Sequence, residues 1–542
     1  MTTSPRWAYQ ADAGQFRDDE LGDLFAFGKS LHPQKIAIND GRHSYTYAQL
    51  DEMVARLAQW LARQGVQAAD YVPVLAEKDA IMPVIGVACW KLGAVYVPLD
   101  GQLPEARVRK LLARMEAKVV LAVSHPPLDN AGLWLSGEAL RVVCEQPVAE
   151  IAGITAYRHQ PQDTAYVIFT SGSTGEPKGV EISVGSLKDY FVAHNQWLRF
   201  TPSSRVFSLS PFHFDVSIED TLLPLSLGAF VWQFASIHAG AIMRSIIIRE
   251  KITHLIAVST LLSLITENGK HIQAENFPAL EMVMTGAEVC DPKIINLWKH
   301  NLPGIRLINA YGPTETTIVC FCYEIEQPDD GRTTSWPIGT PLQDVDYLIL
   351  DENQQQTDKT DIPGELCVGG TLVMKGYLKQ PEETTKVVFE HQGVRYYRTG
   401  DICLRQPDGN ILYLGRRDDE VKIAGRRIHL GEIRQKCLAT KGAERVAIRK
   451  VVVNGKEHIA MVIIGKESHE LGNIETSLAA ELPRYMLPTL WGWAEEVNLS
   501  TNGKTDEKTL LDQLVDAAGQ QNSRYFIRRE GGSFTPLLRG DA

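Results

Sequence analysis

No stretch of this chain is apolar for long enough to cross a membrane. The most apolar segment, Ile81 to Leu99, is interrupted by Pro83, Lys91 and Pro98, and reads as a core helix followed by a strand. The first residues, Met1 to Leu24, lack the apolar centre of a secretory leader. Basic residues are not in excess: 55 Lys and Arg face 66 Asp and Glu, a net charge of -11. That balance argues against a nucleic-acid partner or an anionic membrane surface, while allowing a local basic pocket for a phosphate. CxxC pairs are also missing. The eight cysteines, Cys89, Cys144, Cys290, Cys320, Cys322, Cys367, Cys403 and Cys437, are scattered, and Cys320 and Cys322 alternate on an expected strand with no His cluster nearby in sequence. Buried reduced thiols fit better than zinc ligands. Together these absences predict a cytoplasmic protein.

What is present is globular and large. The 542 residues are 44% hydrophobic and 22% charged, too long for one compact domain. From Leu50 to Val66, apolar residues recur at helical spacing at Met53, Val54, Leu57, Trp60 and Leu61. Short apolar runs then alternate with helical segments: 72–75, 94–98, 119–123, 165–169, 206–210 and 254–258. Strand–helix alternation predicts α/β layers with largely parallel sheets. After Ile338 the strands shorten and Gly and Pro become frequent, which predicts a small antiparallel or barrel-like part. A smaller α+β unit is expected from near Gly415, with strands at 420–423, 445–452 and 458–464 and a helix from Leu430. The polar stretch beyond Gln520 reads as loosely ordered.

The densest chemical signal is Thr170-Ser171-Gly172-Ser173-Thr174-Gly175-Glu176-Pro177-Lys178-Gly179, directly after the apolar strand Tyr166 to Phe169. Its glycines let backbone N–H groups approach a phosphate without a Cβ in the way. The hydroxyls of Thr170, Ser171, Ser173 and Thr174 add donors, and Lys178 adds a point charge. The spacing is neither that of a Walker A loop nor that of a GxGxxG dinucleotide turn.

This loop and a series of further motifs make the chain resemble the adenylate-forming (ANL) superfamily, and within it the amino-acid adenylation domains of nonribosomal peptide synthesis. The motifs follow in that family's order: Tyr45 to Leu50, Leu92 to Pro98, Phe214-Asp215-Val216-Ser217, Asn309-Ala310-Tyr311-Gly312-Pro313-Thr314-Glu315, Gly364-Glu365-Leu366, Tyr397-Arg398-Thr399-Gly400-Asp401, Gly415-Arg416-Arg417-Asp418, Val421-Lys422-Ile423, Leu482 to Pro488 and Asn502-Gly503-Lys504. The resemblance runs from about Leu21 to Lys508. One departure is visible: many relatives carry a His shortly after the phosphate loop, where this chain has Ser183-Val184-Gly185.

The resemblance implies an AMP-forming ligase using ATP and Mg²⁺, built as a large domain of layered α/β subdomains plus a small β-barrel (1–416), a mobile α+β domain (417–520) and a flexible tail (521–542). It implies roles by position. Tyr311 stacks on adenine, Thr314 touches the α-phosphate, Glu315 holds Mg²⁺ and Asp401 receives the ribose hydroxyls, with Asn309, Ala310, Gly312 and Arg416 also at the nucleotide. Lys504 bridges the substrate carboxylate and the α-phosphate. Asp418 is the hinge, and Lys422 lies in the segment that approaches for thioester formation. A lysine between two approaching anions is chemically apt, because it stabilises the charge that builds in the transition state.

Asp215 is implied to pair with a substrate α-ammonium, which favours an amino acid over a fatty or aryl acid. The remaining pocket positions implied by the motifs are Val216, Glu219, Ile256, Val283, Thr285, Ala310, Ile318 and Val319. Most are small to medium and apolar; Glu219 is not. It either faces a cationic side chain, as of lysine or ornithine, or lies outside the pocket as a helix-surface carboxylate beside Asp220. A proline-like substrate in a small apolar pocket is a third reading. About 36 residues follow Asp506, too few for a carrier domain. A free-standing enzyme that passes its aminoacyl group to the pantetheine thiol of a separate carrier protein is therefore expected, with a small helper protein as a possible companion. The alternative is an acyl- or aryl-CoA ligase of the same superfamily.

Overall fold

The computed structural model describes residues 20–124, 133–146, 154–171, 176–234, 240–287, 292–332, 334–357, 359–360, 362–417, 420–440, 443, 445–464, 471–494, 507–521, 523–528 and 534–536. The chain forms two compact units. One comprises 1–101, 112–169 and 179–417; the other comprises 102–111, 170–178 and 418–542.

The larger unit contains two parallel-rich sheets. The first has nine strands in the spatial order Thr340–Pro341, Phe321–Glu324, Arg306–Tyr311, Met282–Gly286, His254–Ile256, Arg205–Ser208, Phe230–Gln233, Ile36–Asn39 and Ser44–Thr46. The six from Arg306–Tyr311 through Ile36–Asn39 run parallel, and antiparallel strands flank them. The parallel strands are apolar on both faces, as strands covered on both sides must be. One face packs into a core with Val206, Ile256, Met282, Met284, Ile308 and Ala310. The other face packs a second core around Phe207, Leu255, Val283, Leu307 and Trp298.

The second sheet has seven strands, with Val95–Asp100, Tyr71–Ala76 and Thr164–Thr170 at its centre. Its residues Val72 and Val74 join the first core. The helix Tyr47–Arg63 packs here too. It begins before the apolar repeat does, because Thr46 and Gln49 form a reciprocal capping box. A third, five-stranded antiparallel sheet follows, containing Val345–Leu350, Gly364–Gly370 and Val394–Arg405.

The smaller unit is built on the hairpin Arg445–Val453 and Lys456–Ile464. Its turn is Asn454-Gly455, with φ of 49° and 75°, the positive pair that a tight two-residue hairpin needs. Leu490–Ala494 and then Tyr525–Arg528 extend the sheet in parallel, and Thr535–Pro536 closes it. The stretch expected to be a flexible tail thus contributes two strands. Phe526 and Ile527 bury their side chains on opposite faces of this sheet, one in each of its two cores. That burial, carried by two residues in a polar context, is what the composition hid.

Candidate active site

The parallel strand Arg306–Tyr311 delivers Tyr311 to its carboxyl end, where ligands of open α/β sheets gather. The Tyr311 hydroxyl donates to Asp401 Oδ2. Arg416 Nη1 donates to Asp401 Oδ1 at 3.0 Å, from the residue directly opposite on the neighbouring strand. The same nitrogen donates to the Thr399 carbonyl at 2.9 Å, and the Asp401 N–H donates to Thr399 Oγ1 at 3.0 Å. Tyr311, Asp401 and Arg416, expected at one nucleotide, therefore form one buried polar cluster. Burial, then the Asp401 charge, pushes the Tyr311 hydroxyl well above the ordinary phenol range. Asn309 spends its amide on the carbonyls of Pro337 (2.7 Å) and Trp336 (3.3 Å), so here it fixes a neighbouring loop.

After Tyr311 the chain turns sharply. A Cβ on Gly312 would lie 2.3 Å from the Ile318 carbonyl oxygen, so no side chain fits. Thr317 and Ile318 have φ of 56° and 73°, uncommon for β-branched residues. Strain of this kind persists only where the surroundings over-determine it, and it concentrates at functional sites. The Thr317 hydroxyl is anchored on the Leu372 carbonyl at 2.7 Å.

Glu315 lies in the 3-10 turn Thr314–Thr316 and is buried. Tyr377 donates its hydroxyl to Glu315 Oε1 at 2.8 Å. A fixed, hard carboxylate oxygen is the donor type that Mg²⁺ takes alongside phosphate oxygens, so Glu315 fits that ion.

Asp215 is buried. Its Oδ1 accepts the Val216 N–H at 2.9 Å, and the Thr314 side chain also donates to it. Burial raises its carboxyl to about 6 against those two hydrogen bonds, with the charges of Glu219 and Glu315 pushing the same way. Glu219 stands one turn further on, within the π-helix Ile218–Leu222. Single π turns inside helices mark functional sites. The surface placement considered for Glu219 is overturned: Glu219 and Asp220 are both 0% exposed. Asp220 is consumed internally by the N–H groups of Leu209 and Ser210 and the hydroxyls of Ser208 and Thr221. Glu219 accepts instead from Tyr190, and its Oε2 lies 3.2 Å from His194 Nδ1.

Residues 28–378 match the family model described as AMP-binding enzyme. The chain belongs to that family of AMP-binding enzymes. It is 31% identical to tyrocidine synthase 3 of Brevibacillus parabrevis over 91% of its own length and 8% of the synthase. To tyrocidine synthase 1 of the same organism it is 30% identical over 93% of its length and 47% of the synthase. It thus spans less than half of either relative. Its fold is that of adenylation domains with a large and a small part. The Vibrio cholerae adenylation domain AlmE, solved with glycyl-adenosine-5'-phosphate, superposes with a TM-score of 0.77 at 22% identity, covering 94% of this chain and 100% of that one.

In this AMP-binding enzyme the pocket positions read from the motifs separate. Ile256, Ala310, Ile318 and Val319 join the core against which Val216 packs. Val283 joins the opposite core, and Thr285 shares its face, aligned with Asn309. Strand alternation is the reason: one position along a strand moves a side chain to the other face. Met284, in register with Ile256 and Ile308, occupies the face assigned to Val283 and Thr285. Thr170 Oγ1 lies 3.5 Å from the Lys178 carbonyl, and Lys178 is buried. Ser171 donates to the Arg427 carbonyl at 3.1 Å and accepts the His429 N–H at 3.0 Å. Lys422 lies on the strand Glu420–Ile423, where its carbonyl accepts from Lys450 Nζ at 2.7 Å. Gly172, Ser173, Thr174, Gly175, Asp418 and Lys504 lie outside the described residues. Sequence reasoning missed Tyr190, His194 and Tyr377, which hold the two glutamates; none of the three lies in a motif named above, and only the fold brings them near.

Proposed function

We propose that this AMP-binding enzyme activates an amino acid with a basic side chain as its aminoacyl-AMP, releasing pyrophosphate, and then passes the acyl group to the pantetheine thiol of a carrier protein. The observation that carries the reading is a set of three buried, mutually repelling carboxylates, Asp215, Glu219 and Glu315. Buried negative charge of that density calls for cationic ligands. Each carboxylate then has its own cation: the substrate α-ammonium on Asp215, the side-chain cation on Glu219, and Mg²⁺ on Glu315. Tyrocidine synthases and an adenylation domain solved with an aminoacyl adenylate are consistent neighbours. A fatty or aryl acid has no group for Asp215.

Asp401, with Arg416 behind it, receives the ribose. Thr314 can serve both ends of the reaction, since its side chain already reaches Asp215. Bound Mg²⁺ supplies electrostatic neutralisation of the phosphates. Lys504 is assigned the bridge between carboxylate and α-phosphate, which lowers the repulsion as the new P–O bond forms. The phosphorus receives the carboxylate oxygen and loses pyrophosphate.

Amino-acid-dependent ATP–pyrophosphate exchange tests this. Exchange is expected with lysine or ornithine, and Glu219→Gln should raise KM for basic amino acids by roughly 10-fold or more. Well-folded protein that exchanges with no amino acid, or a Glu219→Gln variant that loses all substrates equally, defeats the proposal. Comparing CoA with a holo-carrier protein as acceptor separates it from the CoA-ligase alternative.

A further inference from the structure

We propose that Tyr190, His194 and Cys322 form a positioning unit that holds one oxygen of Glu219 and leaves the other for the substrate's side-chain cation. The inference rests on the amino-acid reading above and adds three specificity-determining residues to it.

Tyr190 and His194 lie four residues apart on the helix Val184–Leu198, so their rings meet on one face, 5.1 Å between centroids. The Tyr190 oxygen is 2.6 Å from His194 Nδ1. Both reach the same carboxylate oxygen, Glu219 Oε2. Glu219 Oε1 is buried and has no hydrogen-bond partner among the described residues. A buried carboxylate oxygen left unmatched is expensive, and structures seldom keep one without a use.

The protons of the cluster can be assigned. His194 Nε2 faces Cys322 Sγ at 3.7 Å. Burial, and then the charge of Glu219, keeps the Cys322 thiol protonated, and burial likewise keeps the Tyr190 phenol protonated. The thiol S–H is therefore available to donate to Nε2, which must then offer a lone pair. A neutral imidazole with an acceptor Nε2 carries its proton on Nδ1. That N–H donates to the Tyr190 oxygen at 2.6 Å, and the Tyr190 O–H donates in turn to Glu219 Oε2. Each donor then has an acceptor, and Glu219 Oε1 alone remains.

The geometry also places Glu219 beside the amino-acid site. Asp215 lies in the turn that leads into the helix holding Glu219, which follows four residues on in its π turn, and the Glu219 charge pushes the Asp215 carboxyl up. Tyr190 feels both.

Two measurements on the full chain test the inference. Imidazole ¹⁵N NMR without substrate should show His194 as the neutral Nδ1–H tautomer at pH 7.5; a doubly protonated ring, or the Nε2–H tautomer, overturns it. In pyrophosphate exchange, His194→Leu and Cys322→Ala should lower the ratio of kcat/KM for ornithine or lysine over the best neutral amino acid by roughly 10-fold or more, mostly through KM. His194→Asn, whose amide replaces the Nδ1 donor, should restore much of that ratio. A merely structural role would lower the melting temperature and depress all substrates alike. An unchanged ratio in folded Cys322→Ala, where only a thiol is removed, overturns the inference even if His194→Leu fails to fold. A parent enzyme that prefers neutral amino acids overturns it as well, while leaving amino-acid activation intact. A parent with no exchange at all defeats the underlying reading instead.

Discussion

Asp215→Asn should unfold at higher denaturant than its parent and bind its amino acid poorly. The carboxyl sits at about 6 in the folded protein against an ordinary 3.8, a rise caused first by burial and opposed by the Thr314 and Val216 hydrogen bonds. The folded state thus holds this proton more tightly than the unfolded chain does. Above pH 6 the ionised group costs the fold about 3 kcal/mol, being the difference of about 2.2 pH units at 1.36 kcal/mol each. The cost shrinks as pH falls from 6 towards 3.8 and is gone below that. Asparagine keeps an acceptor oxygen for the Val216 N–H, offers its amide to the Thr314 hydroxyl and carries no charge. Urea midpoints at pH 7.5 and pH 5 should therefore show a gain in the variant that is larger at pH 7.5. Under the proposed role, the same change also removes a charge-assisted bond to an α-ammonium, about 1.5–3 kcal/mol, so KM for the amino acid should rise by about 10- to 150-fold. A variant less stable than its parent at pH 7.5, or one with unchanged KM, contradicts the assignment.

Asp401→Ala should damage both stability and nucleotide binding. Asp401 and Arg416 are nearly inaccessible, and removing the carboxylate strands the guanidinium without its counter-charge. Breaking one side of a buried pair typically costs about 3–5 kcal/mol. The Tyr311 hydroxyl loses its acceptor at the same time. The expected result is a much lower unfolding midpoint together with a KM for ATP raised by about 10-fold or more, from loss of the hydrogen bonds to ribose that the proposed role gives Asp401. Adding Arg416→Met to Asp401→Ala separates the two effects. Stability should recover in large part, because no buried charge is then left unpaired, while ATP affinity should not. Recovery of both would mean that Asp401 serves the fold alone.

The parts of this molecule that local chemistry dictates could be read from the sequence. The helix read over 50–66 and found at Tyr47–Arg63, the apolar strands of the parallel sheets, and the two strands read at 445–452 and 458–464 are each fixed by neighbours in the chain. The motif residues Tyr311, Asp401 and Arg416 were legible as a group only through resemblance, since 90 residues separate the first two. What escaped was whatever depends on which face a residue takes or which distant side chain it meets. Val283 and Thr285 illustrate the first, as strand alternation punishes an offset of one position. Glu219 illustrates the second: its neighbour Asp220 made it look like part of an acidic helix surface, and its partners come from a helix some 25 to 30 residues earlier. The π turn that holds it has no compositional signature.

If Asp401 receives the ribose as proposed, its bond to Tyr311 has a consequence for how sharply the nucleotide sugar can be judged. A site rejects an analogue lacking a hydroxyl mainly when that loss leaves a buried polar group stranded. Here the phenol already supplies Asp401 with a donor from within the chain. A deoxyribose that fails to offer its own would leave the carboxylate satisfied rather than bare. Fidelity for ribose over deoxyribose should therefore be modest, and selection among nucleoside triphosphates falls to the base and the phosphates.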